Sequence, residues 1–119
     1  MDATIMIINN DHKEISIPLT KARYAVVSIV PEQLYHFLEN NFVDGYPDLA
    51  IVDKRCAHHI PHADYDLLRS RRIPVYEYFV GTFHDGSANK IFISESQYGA
   101  RMSPQDFVER RLRGLGAVQ

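Results

Sequence analysis

Short apolar runs alternate with amphipathic stretches along the chain, and this alternation predicts the order of its strands and helices. Residues 24–30 (Tyr-Ala-Val-Val-Ser-Ile-Val) and residues 49–52 are nearly continuous apolar runs, and residues 73–80 form a third run that is rich in aromatic side chains. Such runs are typical of strands that are buried on both faces of a sheet. They predict three strands in the middle of the chain.

Two amphipathic stretches separate these strands. Pro31 suits the first position of a helix, and the residues after it carry one apolar stripe at spacings of three and four, which consists of Leu34, Phe37, Leu38 and Phe42. Asp44-Gly45 is a stop signal for this helix. Asp64 is a suitable N-cap for a second, short helix that carries Leu67 and Leu68.

The order strand, helix, strand, helix, strand requires a parallel sheet with right-handed crossovers. We therefore expect residues 25–30, 49–53 and 74–79 to be neighbouring parallel strands. At the other end of the chain, residues 75–83 and 90–94 flank a turn and predict an antiparallel hairpin. The last helix is predicted to begin at Ser103-Pro104, a good N-cap followed by proline at the first position.

The first twenty residues allow two interpretations. Residues 4–8 form a β-rich apolar run, and the turn-forming residues 9–11 follow it. Residues 14–17 alternate polar and apolar side chains, which is typical of a strand, whereas Pro18 is unfavourable inside a helix. A hairpin of residues 4–8 and 14–17 is therefore preferred to a strand followed by a short helix.

Together these elements predict one α/β domain over residues 1–119, with three layers of Rossmann-like or flavodoxin-like type. Its sheet is expected to be mainly parallel at the core, with antiparallel hairpins at the ends. The chain has 119 residues, which suits a single domain.

Composition narrows the expected partners and compartment. The formal net charge is -2, and a weakly acidic chain is a poor candidate for binding nucleic acid. The two arginine clusters, Arg69/Arg71/Arg72 and Arg110/Arg111/Arg113, lie where helices are predicted to end, and there they complement the helix dipole. The single cysteine fits a reducing compartment, so we expect a cytoplasmic protein. No apolar run is long enough to cross a membrane.

Residues 46–53 (Tyr-Pro-Asp-Leu-Ala-Ile-Val-Asp) resemble the third strand of response-regulator receiver domains, in which Pro-Asp-Leu and apolar residues precede the phosphoacceptor aspartate. Asp53 matches that aspartate. Residues 67–75 resemble the third helix and fourth strand of the family, and residues 5–12 resemble its first strand and acidic pair. The resemblance implies a regulatory domain that is switched at the end of its third strand.

The chain departs from the receiver pattern at the other functional positions. Asn9-Asn10 stands where the family has its Mg²⁺-binding acidic pair, and only Asp11 could replace it. The switch position falls on Phe79, three residues before Thr82, and the family's lysine has at best Arg101 in its place. Phosphoryl transfer needs a divalent cation on several oxygen ligands. The resemblance therefore implies a degenerate receiver, and its candidate ligand-binding residues are Asn10, Asp11, Asp53 and Thr82.

A histidine-rich loop follows Asp53 and contains four residues that are able to bind a divalent metal, namely Cys56, His58, His59 and His62. A structural zinc site usually brings a second pair of ligands, and the sequence has no such pair. Histidines used for hydrogen bonds or for a subunit contact are the preferred interpretation, so no cofactor is expected. A nucleophilic Cys56 would need a lowered pKa, which neighbouring cations could supply.

The preferred function is a non-catalytic regulatory or protein-interaction domain of receiver-like type that forms a homodimer. Aromatic rings that are exposed on an edge strand would suit such an interface, and the fourth-strand hairpin is its expected location. The rings considered are Tyr35, Tyr65, Tyr76, Tyr78, Phe79, Phe83, Phe92 and Tyr98. The alternative is a small-molecule-binding or metal-binding protein, including an enzyme, with its site between Asp53 and His62. A nucleic-acid-associated protein that uses the arginine clusters is a third hypothesis.

Overall fold

The computed structural model describes residues 3–9, 13–41, 43–85, 88–96 and 99–114, without the side chains of residues 13–14 and 82–90. Strands and helices alternate over most of this length. In chain order they are β1 (Thr4–Ile8), α1 (Lys13–Lys21), β2 (Ala25–Ile29), α2 (Leu34–Asn40), β3 (Leu49–Asp53), α3 (His62–Ser70), β4 (Val75–Asp85), β5 (Ala88–Ser94) and α4 (Pro104–Gly114). Short 3₁₀ turns at Pro31–Gln33 and Ala57–His59 precede α2 and α3.

The strands form one five-stranded sheet in the order β2-β1-β3-β4-β5. β1 pairs in parallel with β2 and with β3, β3 pairs in parallel with β4, and β5 is antiparallel to β4. The predicted α/β class, the mainly parallel sheet and the β4–β5 hairpin are therefore confirmed. The three predicted central strands are parallel, but β2 and β3 are not neighbours because β1 lies between them.

The predicted N-terminal hairpin is wrong, because residues 13–21 form α1. Ile15 and Leu19 lie one helical turn apart, and both are fully buried against the sheet. Burial of these two side chains offsets the unfavourable Pro18 inside the helix. Ile17, which suggested a period of two, is 47% exposed on the opposite side of α1.

Helices cover both faces of the sheet and make the domain three layers thick. Ile15 and Leu19 of α1 share one core cluster with Phe107 and Leu112 of α4. On the other face, apolar side chains of α2 and α3 share a second cluster with the alternate residues of β1 and β3. This arrangement is compatible with a Rossmann-like or flavodoxin-like class.

Two helix boundaries differ from their predictions. α2 ends at Asn40, before the expected stop at Asp44-Gly45, and Phe42 lies outside the described residues. The N-cap of α3 is Pro61, whereas Asp64 lies inside the first turn and is buried. α4 begins as predicted, because Ser103 Oγ accepts a hydrogen bond from the backbone N–H of Asp106 at 3.2 Å.

The β4–β5 hairpin extends beyond the rest of the sheet. Residues 75–78 of β4 pair with β3, whereas residues 79–85 pair with β5. The second half of β4 therefore continues past the carboxyl ends of β1 and β3, and β5 returns to the level of that edge. Gly81 lies opposite Phe92 in this ladder, and a Cβ at Gly81 would be only 2.4 Å from the Phe92 ring.

Most aromatic rings that the structure describes are at least partly covered. Among the rings named for an interface, Tyr78 is fully buried, and Tyr65, Tyr76, Phe79 and Phe92 are of intermediate exposure. Tyr35 on α2 is 50% exposed. Tyr98 and the side chain of Phe83 lie outside the described residues. The exposed fourth-strand rings that motivated the predicted location of a dimer interface are therefore not found among these residues.

Two arginines of the predicted basic clusters form contacts within the chain. Arg71 donates to the backbone oxygens of Leu38 and Asn41 and so ties the end of α3 to the end of α2. Arg111 forms an ion pair with Glu95. No helix in the described ranges has the length and apolar character that a membrane span requires.

Candidate functional site

The carboxyl ends of β1 and β3 form the candidate site. The chain leaves β1 through α1 to reach β2 on one side, and it later crosses to β3 on the other side of β1. Open α/β sheets bind ligands at such a point, where connections depart in opposite directions. Asn9 follows β1 and Asp53 ends β3, and both are buried at this position.

Asp53 is held by a residue of its own loop. The backbone N–H of Arg55 donates to Asp53 Oδ1 at 2.9 Å. Arg55 Nε lies 3.0 Å from Oδ1 and 2.9 Å from Oδ2, and one terminal nitrogen of the guanidinium lies 2.5 Å from Oδ2. A carboxylate that is 3% exposed would be strongly unfavourable without such a partner. Both carboxylate oxygens are therefore engaged by Arg55.

Tyr78 and Asn9 complete the buried side of this site. Tyr78 lies beside Asp53 in the β3–β4 ladder, and its hydroxyl oxygen accepts a hydrogen bond from Asn9 Nδ2 at 3.4 Å. Burial raises the pKa of Tyr78, and the negative charge of Asp53 raises it further. The phenol is therefore neutral at physiological pH.

Asn9 also carries an unused acceptor. Its backbone N–H donates to Ile29 O at 3.2 Å, which fixes the residue at the end of β1. Its side-chain Oδ1 is buried and accepts no hydrogen bond from any residue in the described part of the chain. A buried acceptor without a donor is unfavourable. Asn9 Oδ1 is thus a buried acceptor without a donor among the described residues.

Cys56 points into the protein instead of into the loop. Its thiol donates to the backbone oxygens of Asp53 at 3.3 Å and Ile8 at 3.5 Å. Burial raises the pKa of Cys56, the Asp53 carboxylate raises it further, and the Arg55 guanidinium opposes both effects in part. The thiolate is therefore disfavoured, which is the opposite of what a nucleophilic cysteine needs.

The histidines of the same loop lie on the outside. His58 and His59 belong to the 3₁₀ turn, are exposed, and have ring centroids 4.0 Å apart. His62 is the exposed first residue of α3. Nowhere in the described residues do three histidine, cysteine or acidic side chains form a group able to hold a metal ion. The four candidate metal ligands are thus separated, because Cys56 is buried and the three imidazoles are exposed.

The structure describes only two of the remaining residues that the receiver resemblance singles out, Thr82 and Arg101. Asn10 and Asp11 lie outside the described residues. Thr82 lies opposite Ile91 in the projecting β4–β5 hairpin, and its side chain is not among those described. Arg101 follows the antiparallel β5, and its guanidinium lies over the Phe92 ring at 4.8 Å. The next residue, Met102, pairs with Ile93 of β5, so with strands about 4.8 Å apart Arg101 lies roughly 14 Å from β3.

A groove of about 660 Å³ lies elsewhere, along the first half of β4. Tyr65 and Arg69 of α3 line one side of it, Arg111 of α4 lines the other, and residues 73–77 form its floor. Tyr65 donates to Glu77 Oε2 at 3.5 Å, and Arg111 packs over the Tyr76 ring at 4.7 Å. Asn9, Asp53, Cys56 and Tyr78 do not line this groove, so it is separate from the candidate site.

Sequence reasoning identified Asp53 and Cys56 but missed the functions of Arg55, Tyr78 and Asn9 around them. The spacing Asp-x-Arg after a strand was an available signal, because aspartate side chains often bind the backbone N–H two residues later. Nothing in the local pattern indicated that Tyr78 would lie against Asp53, since that contact depends on the register of β3 and β4.

Comparisons with protein-family models, with curated proteins and with solved structures gave no match.

Proposed function

We propose that this chain is a non-catalytic regulatory or protein-interaction domain of receiver-like type, with a Rossmann-like or flavodoxin-like fold. The observation that carries the proposal is the contact between Asp53 and Arg55. Asp53 ends the strand whose sequence resembles the phosphoacceptor strand of receivers, and Arg55 engages both of its oxygens. We infer that this arginine takes the place of the cation and the phosphoryl group that would otherwise switch the domain.

The chemistry of the neighbouring side chains supports a domain without catalysis. A phosphorylated aspartate needs a free carboxylate oxygen and a divalent cation on several oxygen ligands. At the end of β1 the chain has Asn9, an uncharged side chain that already binds Tyr78. Cys56 and Tyr78 both have raised pKa values, so neither supplies a nucleophile or a base at neutral pH. We therefore infer a domain that works through protein contacts and needs no cofactor.

The proposed partners include a second copy of the chain, so we retain the homodimer as part of this function. A cytoplasmic location fits the single, buried thiol of Cys56, which a reducing compartment keeps free. The partly covered rings of β4 give no reason to place the interface at the fourth-strand hairpin.

The test is phosphorylation with acetyl phosphate and Mg²⁺, followed by intact mass spectrometry. We expect the wild-type chain to remain unmodified, while a receiver domain with a complete acidic pair is labelled in parallel. The Asp53→Asn variant shows whether any label that forms lies on Asp53. A stoichiometric aspartyl phosphate on the wild-type chain, absent from this variant, would overturn the proposal and make the chain a true receiver.

A small-molecule-binding or metal-binding protein with its site between Asp53 and His62 is the second candidate. One observation favours it, namely the buried Asn9 Oδ1, which has no donor among the described residues. A ligand with an N–H or O–H group would satisfy this atom. Metal analysis of the purified protein and calorimetric titration with Zn²⁺ test the metal form of this candidate, for which one metal ion per chain is the expected result.

A further inference from the structure

The outer edge of β2 carries unpaired backbone groups. β2 is the first strand of the sheet and has β1 on one side only. The N–H of Asn9 donates to Ile29 O at 3.2 Å, so Ile29 faces β1. Because successive residues of a strand alternate in direction, the N–H and C=O groups of Val26 and Ser28 face away from β1. No described residue is hydrogen-bonded to these four groups.

This edge lacks the features that usually protect edge strands. Proteins place charged residues, proline, bulges or a covering segment at such edges to prevent unwanted pairing. β2 has the sequence Ala-Val-Val-Ser-Ile and pairs with β1 without interruption over five residues. Ala25 is exposed, and Val26 and Val27 are only partly buried. In the described part of the chain, the edge therefore combines apolar side chains with free hydrogen-bonding groups.

We propose that β2 pairs antiparallel with β2 of a second copy, around a two-fold axis at Val27, and so joins two five-stranded sheets into one. In this register Val26 lies opposite Ser28 of the partner subunit, and the two residues exchange both of their outward hydrogen bonds. The symmetry repeats this pair, so all four outward groups of each copy are used. Val27 then lies opposite Val27 of the partner subunit in a pair without direct hydrogen bonds, which is the closer type of antiparallel pair. Ala25 lies opposite the partner's Ile29.

Charges at the two ends of β2 favour a second copy of the chain over a different partner. Arg23 precedes the strand and Glu32 follows it, and both are exposed. Antiparallel pairing around Val27 brings Arg23 to the level of residues 31–32 of the other copy. Each cation therefore lies near an anion at both ends of the ribbon, whereas parallel pairing would bring like charges together. An interface that matches itself in this way closes as a symmetric dimer.

This inference deepens the proposed function, because it assigns the homodimer to a particular edge. It does not depend on the state of Asp53, which lies at a different strand. Phosphorylation of Asp53 would overturn the receiver-like proposal and leave the β2 interface intact, whereas loss of the interface would leave Arg55 and Asp53 as they are. A failure of the receiver-like proposal can therefore be distinguished from a failure of the proposed β2 interface.

The first experiment is sedimentation equilibrium over a range of micromolar concentrations with Ser28→Pro and its matched control Ser28→Thr. Proline at this position removes an N–H that the single chain does not use, so the monomer tolerates it. Two such donors are lost in each dimer, and we expect the dissociation constant to rise roughly thirtyfold or more. Ser28→Thr keeps the N–H and should dimerise like the wild type.

The second experiment reverses the charges at the ends of the strand. Arg23→Glu or Glu32→Arg alone brings like charges together at two symmetric places, and each should raise the dissociation constant about tenfold. The double variant, Arg23→Glu with Glu32→Arg, restores the opposite charges and should recover most of the wild-type affinity. This pattern is independent of the proline variant, and it stays informative if that variant does not fold by circular dichroism.

Two results would overturn the inference. The first is a wild-type chain that remains a monomer at every concentration. The second is a dimer that neither the proline nor the charge reversals weaken, which would place the interface on another surface. Rescue by the double charge reversal supports the antiparallel register, because no effect on the fold of a single chain predicts it.

Discussion

The carboxylate of Asp53 and the guanidinium of Arg55 form a pair within a single turn of the chain, with the closest nitrogen and oxygen 2.5 Å apart. The two side chains differ in exposure, since that of Asp53 is 3% exposed and that of Arg55 is 53% exposed. The arginine thus reaches from solvent to a buried charge at the end of β3. It pairs with that charge at the strand end where an open α/β sheet would bind a ligand.

Replacement of Arg55 by alanine should destabilise the fold. Among the described residues, the change leaves the buried Asp53 carboxylate with one donor, the backbone N–H of residue 55, and we expect the free energy of unfolding to fall by about 1–3 kcal/mol. Urea unfolding followed by circular dichroism measures this difference. The control is Arg69→Ala, which removes an ion pair between exposed side chains, 3.5 Å apart, and should change stability by less than about 0.5 kcal/mol. Equal effects of the two variants would show that Arg55 does not stabilise the buried charge.

The thiol of Cys56 should be unreactive in the folded protein. It is buried and donates to two backbone oxygens, and its pKa is raised, so little thiolate exists at neutral pH. Labelling with a disulfide reagent should be slow in buffer and rapid in urea, where one thiol per chain should react. Fast stoichiometric labelling of the native protein would contradict the buried geometry and reopen the case for a nucleophilic cysteine.

Two tyrosines should make the fold sensitive to alkaline pH. Burial first, and then Glu77, raises the pKa of Tyr65 from its ordinary value to about 12. The pKa of the fully buried Tyr78 is raised as well. In both cases the folded state holds the phenolic proton more tightly than the unfolded state. Their contribution to stability is therefore complete below pH 10, about the pKa of an unfolded tyrosine, and is lost as the pH rises above it.

This pH dependence is measured by urea unfolding from neutral pH to about pH 12, together with the absorbance of tyrosinate. We expect the free energy of unfolding to decrease above about pH 10, and Tyr65→Phe to make that decrease smaller. Because Tyr65 is partly exposed, its share should be modest compared with that of Tyr78. Tyr35→Phe, at an exposed position on α2, is the matched control. A decrease that Tyr65→Phe and Tyr35→Phe alter equally would contradict the assignment to Tyr65.

The class of the fold could be predicted because continuous apolar runs are a local property of the sequence. The order of the strands could not, since it depends on which faces the crossover helices bury. β2 illustrates the difference. Its apolar sequence predicts a central strand. The side chains are apolar because helices cover both faces of β2, yet β2 lies at the edge of the sheet. The apolar composition of a strand indicates that other elements pack on its faces. It does not indicate whether one strand or two strands are hydrogen-bonded to it.

The candidate site could be predicted only in part for the same reason. Asp53 was identified because it ends an apolar run that resembles the phosphoacceptor strand of receivers. Tyr78 was considered as one of several rings for a dimer interface, but it is buried between Asp53 and Phe107, whose ring centroid is 6.4 Å from that of Tyr78. Local pattern does not distinguish a ring under α4 from a ring on a free surface.

The first helix was mispredicted because residues 14–17 alternate polar and apolar side chains and because Pro18 follows them, and Pro18 suggests the last test. Pro18 lies inside α1 and has no N–H, so the carbonyl of Glu14 loses its usual helical donor. Pro18→Ala restores this hydrogen bond and removes the clash of the ring with the preceding turn. The gain is opposed by the greater entropy of the unfolded chain and by the loss of a partly buried ring, so we expect a net stabilisation of about 1 kcal/mol. Urea unfolding measures it, with Thr20→Ala at an exposed position of the same helix as the control. If Pro18→Ala lowers the stability, the packing of the proline ring against the rest of the domain outweighs the missing hydrogen bond.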